Sequence, residues 1–197
     1  MKSFLLLSFT LFTINIMLAQ NKSTELPYTE IPAHSDEYTA EAVVARMVDG
    51  LGFRYRWATE GLRPEDLEYK PSPEARSCRE TLDHIYDLSE CVIYPVKKES
   101  IKRGTERPEM SFDELRKATL ENLKTAADIL RSGEVKLADC PLIFERPDRQ
   151  SEYPFWNNLN GPIADAIWHC GQVVSFRRAS GNPFNSKVSV FQGKVRE

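Results

Sequence analysis

The stretch from Gly161 to Pro183 reads GPIADAIWHCGQVVSFRRASGNP, and it predicts a helix with clear ends. Pro162 suits the first turn of a helix, where its missing amide hydrogen is not needed, and Gly181 is a stop signal. The apolar stripes are Ile163, Ile167, Cys170 and Val174 on one side, and Trp168, Val173 and Phe176 on another. Because it is apolar nearly all round, we expect the helix over residues 163–179 to be the most buried in the protein.

The first predicted helix follows Thr39. Apolar residues recur after it every three or four positions, which is the pattern of one face of an amphipathic helix. Gly61 and Pro64 end this pattern. The residues expected to face the core are Val43, Met47, Leu51, Tyr55, Ala58 and Leu62.

Two capping boxes mark the starts of the second and third helices. Ser77-Cys78-Arg79-Glu80 and Ser111-Phe112-Asp113-Glu114 each place a hydroxyl and a carboxylate where they satisfy free amide groups of a first helical turn. Pro95 limits the second helix, and Gly133 closes the third. The predicted inward residues are Thr81, His84, Ile85, Leu88, Cys91 and Val92 in the second helix, and Phe112, Leu115, Thr119, Leu123, Ala126 and Leu130 in the third.

Residues 139–160 connect the third and fourth helices. Prolines break the helical period there, and the pattern indicates an ordered, partly extended connection whose aromatic side chains pack against the helices. Four helices, one long crossover and no sheet of consequence predict an all-α four-helix bundle. Residues 184–197 are expected to lie against it as a short extended tail.

Residues 1–20 have the pattern of a signal peptide. Lys2 precedes an apolar run over residues 4–19, and the chain becomes polar at Gln20. The run is short for a membrane span, which needs roughly 20 predominantly apolar residues. We expect export to the periplasm with cleavage, and no membrane span in the mature chain; an uncleaved anchor is the alternative. The remaining parts are then an N-terminal extension (residues 21–38), the helical domain (residues 39–183) and the C-terminal tail (residues 184–197).

Composition places the chain among single-domain globular proteins. It has 197 residues, of which 41% are hydrophobic and 28% charged, and 26 basic against 29 acidic residues give a net charge of -3. These values exclude collagen-like, low-complexity and wholly disordered classes. No basic stripe is interleaved with aromatic residues, so we expect no nucleic-acid partner.

The four cysteines leave disulfide formation open. An exported protein meets an oxidising compartment, which permits a bond. Cys78 and Cys91 lie on one predicted helix about 20 Å apart, at a rise of roughly 1.5 Å per residue, and so cannot pair with each other. Cys140, in the connection, is the most suitable partner for any of the others. Buried free thiols are the equal alternative.

Three residues on predicted helices form a candidate metal site. Asp165 lies four residues before His169, which places both side chains on one helix face, about 6 Å apart at Cβ. His84, on the inward stripe of the second helix, would supply a third ligand. Two imidazoles and one carboxylate suit Zn(II), Fe(II), Ni(II) or Mn(II), and three protein ligands are typical of an open site.

Each candidate ligand also has a plainer interpretation. A core histidine is most often only hydrogen-bonded, and Asp165 could pair with an arginine. The arginines considered for this are Arg54, Arg56 and Arg76. His34, in a polar segment before the first helix, is not expected to bind a metal.

Residues beside the three candidates could support the site. Asp83 and Asp87 flank His84 and could orient its ring, although solvated charges are the commoner outcome. Gln172 could reach the rim of the site or lie on the surface. Arg177-Arg178 could bind an anion, or could only complement the dipole at the end of the last helix.

Two blocks of the sequence resemble the DinB/YfiT-like family. One is the stretch from Gly161 to Pro183. The other comprises Leu67-Glu68-Tyr69-Lys70-Pro71, Ala75-Arg76-Ser77 and Leu82-Asp83-His84-Ile85. The resemblance spans roughly residues 40–183 and implies a four-helix bundle with a long crossover, and a divalent metal held by histidines of the second and last helices. The matching positions are His84, Asp165 and His169, and at Asp165 the family most often has histidine.

The resemblance also implies a type of reaction. The family includes metal-dependent hydrolases and transferases that use low-molecular-weight thiols, and its bundles are commonly paired. It therefore implies a type of reaction and is compatible with a homodimer, but it does not identify the small-molecule substrate that we expect. We favour hydrolysis, because an exported protein would not readily meet cytosolic thiol cofactors; the only general bases that the sequence offers are Asp83, Asp87 and Glu80. The alternative is a non-catalytic binding or scaffold bundle with a degenerate metal site.

Overall fold

The computed structural model describes residues 25–104 and 108–197. The predicted signal peptide, residues 1–20, lies outside the described residues. Within the described ranges, no helix combines the length and the apolar character that crossing a membrane requires.

The described chain is mostly helical, and its long helices begin and end where local hydrogen bonding requires. The helices are α1 (Ala40–Thr59), α2 (Pro64–Glu68), α3 (Cys78–Val96), α4 (Phe112–Ser132), α5 (Trp156–Asn158) and α6 (Ala164–Ala179). The capping boxes of α3 and α4 are confirmed: Ser77 Oγ accepts from the amide of Glu80 in α3. In α4, Ser111 accepts in the same way from Glu114. The C-cap of α4 is Gly133, whose φ of 77° lies in the left-handed region that favours glycine.

The four long helices pack around one core, with α1 and α3 each contacting both α4 and α6. From α6, this core receives Ala166, Cys170, Val173 and Arg177. Trp168 lies outside that stripe and is 71% exposed. The expectation that the last helix is the most buried is therefore wrong, because α6 meets its neighbours along a single stripe.

The predicted inward face of α1 is correct in its second half and wrong in its first. Leu51, Tyr55 and Ala58 are fully buried, whereas Val43 and Met47 are 45% and 40% exposed. The buried residues of the first half are Val44, Ala45 and Val48. Both sets are apolar, so the hydrophobic pattern does not decide between them, and the packing partners of α1 do.

Short strands accompany the helices. They are β1 (Ile101–Lys102), β2 (Leu142–Arg146), β3 (Arg149–Tyr153), β4 (Val188–Ser189) and β5 (Lys194–Val195). Of these, β2 and β3 form a β-hairpin within the long connection between α4 and α6. Strands β2 and β3 pair antiparallel around Pro147-Asp148, and β1 pairs parallel with β2. The prediction of no sheet of consequence is therefore wrong, whereas the partly extended structure predicted for residues 139–160 is confirmed. Proline and aspartate are typical turn residues. Phe155 of the connection is buried as expected, but Trp156 faces solvent.

Residues 25–33 form a strap that runs along α1, and we call it the N-terminal strap. The side chains of Arg46, Arg56 and Trp57 donate to the carbonyls of Pro32, Leu26 and Thr29 at 2.7, 2.9 and 3.3 Å. The ring of Tyr28 lies so close to Gly52 that a Cβ there would come within 2.2 Å of it. The amide of Ile31 donates to the carbonyl of Gly193 at 2.8 Å. The strap thus contacts both α1 and the C-terminal hairpin formed by β4 and β5.

All four cysteines are buried free thiols. Burial raises the pKa of Cys78 to about 12 and that of Cys91 to about 11. Of the two alternatives that the sequence left open, the structure therefore shows small, protonated core residues.

Candidate metal centre

Local structure places the candidate ligands on two adjacent helices. The capping box at Ser77 starts α3, and His84 follows two turns into it. A π-helical turn (Leu159–Ile163) with non-helical backbone angles at Gly161 precedes α6 and sets its direction. Asp165 then lies in the first turn of α6, with His169 one turn later. Because α3 packs along α6, the three side chains meet between them.

The structure brings the three predicted residues into one cluster. His84 Nε2 lies 3.2 Å from Asp165 Oδ2, and His169 Nε2 lies 3.3 Å from Asp165 Oδ1. The two imidazole rings meet edge to face, with their centroids 4.8 Å apart. One ligand atom from each residue lies within 4.8 Å of the others. This group could hold a metal ion.

The cluster is half-buried and accessible to solvent. The side chains of His84, Asp165 and His169 are 29%, 36% and 13% exposed. An ion could therefore reach the carboxylate without unfolding the helices. The position also leaves room for ligands from outside the protein, as an open site requires.

Asp165 has no cationic partner other than histidine among the described residues. Among the described residues, none of Arg54, Arg56 and Arg76 pairs with Asp165. Arg54 donates to the carbonyl of Gly50, and Arg56 pairs with Glu60. The carboxylate faces only the two imidazole rings. A partly buried carboxylate is stabilised by a cation, so the surroundings of Asp165 fit a bound metal ion.

Gln172 contacts the cluster directly. Its Oε1 lies 2.7 Å from Nδ1 of His169, the ring nitrogen on the side away from Asp165. The sequence left its position open between the rim of the site and the surface. The structure places it against the ring, where the spacing of three residues along a helix brings the two side chains together.

Among the described residues, the other predicted neighbours are not hydrogen-bonded to His84. Asp83 pairs with Arg79 of its own helix at 2.9 Å. Asp83 and Asp87 line a cleft of about 1330 Å³, together with residues of the loop after α3, and none of the three candidate ligands lines it. Within the described residues, neither carboxylate is hydrogen-bonded to His84. His34 is exposed and lies outside the cluster, with Nδ1 at 3.0 Å from the carbonyl of Ser35.

Arg177 has a structural role that the sequence analysis missed. It is buried, and its guanidinium donates to carbonyls at the end of α1, including those of Ala58 at 3.0 Å and Glu60 at 2.9 Å. Burial lowers the pKa of this guanidinium from its ordinary value. Of the two predicted roles for the Arg177-Arg178 pair, anion binding therefore does not describe Arg177. The sequence signal for this role is the end of the first helix before Gly61, because the last carbonyls of a helix need hydrogen-bond donors from elsewhere.

Comparison with known proteins finds no family model, curated protein or solved structure that matches this chain.

Proposed function

We propose that this protein is an exported, DinB/YfiT-like hydrolase that acts on a small molecule and binds one divalent transition metal ion through His84, Asp165 and His169. The observation that carries the proposal is the isolation of Asp165. Its carboxylate touches two imidazole rings, and among the described residues no lysine or arginine neutralises it. Two nitrogens and one oxygen converging from two helices are a donor set that transition metals favour.

The proposed class is a four-helix bundle formed by α1, α3, α4 and α6. Three features support it: the contacts of α1 and α3 with both α4 and α6, the long connection before α6, and the position of the ligands on α3 and α6. In such bundles, metal sites are built from side chains that project inward from facing helices. Export is the part of the proposal that depends on residues 1–20.

The donor set limits the metals that we propose. Zinc, nickel, iron and manganese, all as divalent ions, bind imidazole and carboxylate together. The carboxylate of Asp165 favours a harder ion than three imidazoles would. Three protein ligands leave coordination positions for water and substrate.

A divalent ion bound there would lower the pKa of a water molecule and polarise an electrophile, which is the chemistry of metal-assisted hydrolysis. The chain itself would contribute orientation and charge. His84 and His169 each contact one oxygen of the Asp165 carboxylate. The exposure of all three side chains leaves a path for a small substrate.

Metal content tests the site. The mature chain, purified without a histidine tag, should contain about one equivalent of a transition metal by inductively coupled plasma mass spectrometry. His84→Ala, Asp165→Ala and His169→Ala should each lose most of it, because each removes one of three ligands. His34→Ala is the matched control and should keep the parent's content, since His34 lies outside the cluster. Equal metal retention in all four variants would overturn the assignment.

A second experiment separates the hydrolase from the non-catalytic alternative. With cobalt(II) in the site, azide should change the visible absorption spectrum if a coordination position is open. The metal-loaded parent should also hydrolyse 4-nitrophenyl acetate faster than Asp165→Ala does. A chain that binds metal but responds to neither probe would support a binding or scaffold protein. A chain that takes up no zinc, manganese or nickel on dialysis would have no metal site.

A further inference from the structure

Gln172, which is not one of the three candidate ligands, contacts the ring of His169, which is one. Gln172 Oε1 lies 2.7 Å from His169 Nδ1, whereas His169 Nε2 lies 3.3 Å from Asp165 Oδ1. The contact with Gln172 is therefore the shorter of the two polar contacts that this ring makes among the described residues. We propose that Gln172 is a positioning residue of the metal site, which fixes the ring of His169 so that Nε2 points at the ion. This inference rests on the proposed function.

The spacing along α6 explains why one residue can do this. Asp165, His169 and Gln172 follow one another at intervals of four and three residues, so they lie on one face of the helix, one turn apart. The imidazole ring of His169 therefore has one polar contact with the preceding turn of α6 and one with the following turn. Asp165 faces Nε2, and Gln172 faces Nδ1. Rotation of the ring about its side-chain bonds would break both contacts.

The hydrogen bond also selects the form of the ring that binds metal. An amide oxygen can only accept, so Nδ1 must donate its hydrogen to Gln172. When Nδ1 carries the hydrogen of a neutral imidazole, the lone pair lies on Nε2. Nε2 is the nitrogen that faces Asp165, and it is the ligand atom of the proposed site. Such partners behind a metal-binding histidine commonly fix its orientation and raise its basicity.

The other histidine of the cluster is held differently. His84 contacts Asp165 through Nε2, and within the described residues its Nδ1 has no hydrogen-bond partner. It is also the more exposed ring, at 29% against 13% for His169. The α6 side of the site is thus held in place before an ion binds, and Gln172 is the residue that holds it.

Zinc affinity and the ring signals of histidine test this role together. Gln172→Leu should weaken zinc binding about tenfold, measured by competition with a chelating dye, because the ring is then free to turn. Gln172→Glu should restore at least the parent's affinity, since a carboxylate accepts the same hydrogen more strongly. Gln150→Leu is the matched control: the same change on the exposed strand β3 should leave affinity unaltered.

Nuclear magnetic resonance of the zinc-loaded protein supplies a signal that a merely structural residue would not move. In the parent, the Nδ1 hydrogen of His169 should exchange slowly with water, because it is bonded to Gln172. In Gln172→Leu it should exchange quickly, and in Gln172→Glu it should again exchange slowly. The chain has three histidines, so the spectrum contains few ring signals to assign.

The outcomes distinguish this inference from the proposed function. If the parent binds zinc and Gln172→Leu binds it equally well with the same exchange rate, the positioning role is wrong and the metal site stands. If Gln172→Leu weakens binding but Gln172→Glu does not restore it, the amide acts through packing, and the positioning role is also wrong. If the parent binds no zinc, both proposals fail.

Discussion

Two carboxylates near the ends of α6 differ in their hydrogen-bond and ion-pair partners. Asp66, of α2, is fully buried and accepts hydrogen bonds from Arg63 at 2.8 Å and from Asn182 at 2.6 Å, and also from Ser180. Asp165, at the start of α6, is 36% exposed and has only the two imidazole rings as partners among the described residues. The first carboxylate is neutralised by an arginine of the same chain. The second is held in a position where a cation from outside would neutralise it.

The comparison separates a structural carboxylate from a candidate ligand. Hydrogen bonds from Arg63 above all, with those from Ser180 and Asn182, hold the pKa of Asp66 far below its usual range. A cluster closed in this way has no lone pair left for an ion. A carboxylate between two imidazoles keeps that capacity.

The largest expected effect comes from breaking the closed cluster. Asp66→Ala should lower the free energy of unfolding by about 3 kcal/mol, because it removes the fully buried acceptor that Arg63, Ser180 and Asn182 share. Urea unfolding followed by circular dichroism measures this change. The metal-free Asp165→Ala chain is the control and should lose less than about 1 kcal/mol, since its partners remain near solvent. Equal losses would mean that Asp165 is a structural carboxylate too.

A second prediction concerns zinc, which should bind near Asp165 and not near Asp66, because Asp66 already pairs with Arg63. Zinc at a hundred times its dissociation constant should raise the free energy of unfolding of the parent by about 2.7 kcal/mol, because it binds only the folded chain. Asp66→Ala, although less stable, should gain the same increment, and Asp165→Ala should gain almost none. The measurement is urea unfolding with and without zinc. An increment that survives in Asp165→Ala would show that zinc binds elsewhere.

The smallest effect is on the acid side of the stability profile. Asp66 has a pKa that is lower in the folded protein than in the unfolded chain. Its contribution is therefore complete above the ordinary aspartate pKa of about 3.9 and is lost as the pH falls towards the folded value. Between pH 5 and pH 2, the free energy of unfolding of Asp66→Asn should fall by on the order of 2 kcal/mol less than that of the parent. Unfolding curves at several pH values test this, and parallel profiles would contradict it.

Several features of this fold could be predicted because they depend on residues close together in the chain. The capping boxes at Ser77 and Ser111 and the left-handed turn at Gly133 use hydrogen bonds within one helical turn. The pairing of Asp165 with His169 on one face likewise follows from the helical repeat. For residues 139–160 the sequence predicts a partly extended connection but not the pairing of β2 with β3 around Pro147-Asp148, because the prolines show where helices stop and not which segments pair.

Other features depend on which elements meet. Val43 and Val44 are equally apolar, yet only Val44 is buried, because the packing of α1 chooses the face. Trp168 is exposed for the same reason. The sequence by itself determined the helix ends and the donor types at the candidate site. Only the tertiary structure decided that Asp165 meets His84 rather than an arginine, since that contact joins residues 81 positions apart and depends on how α3 packs against α6.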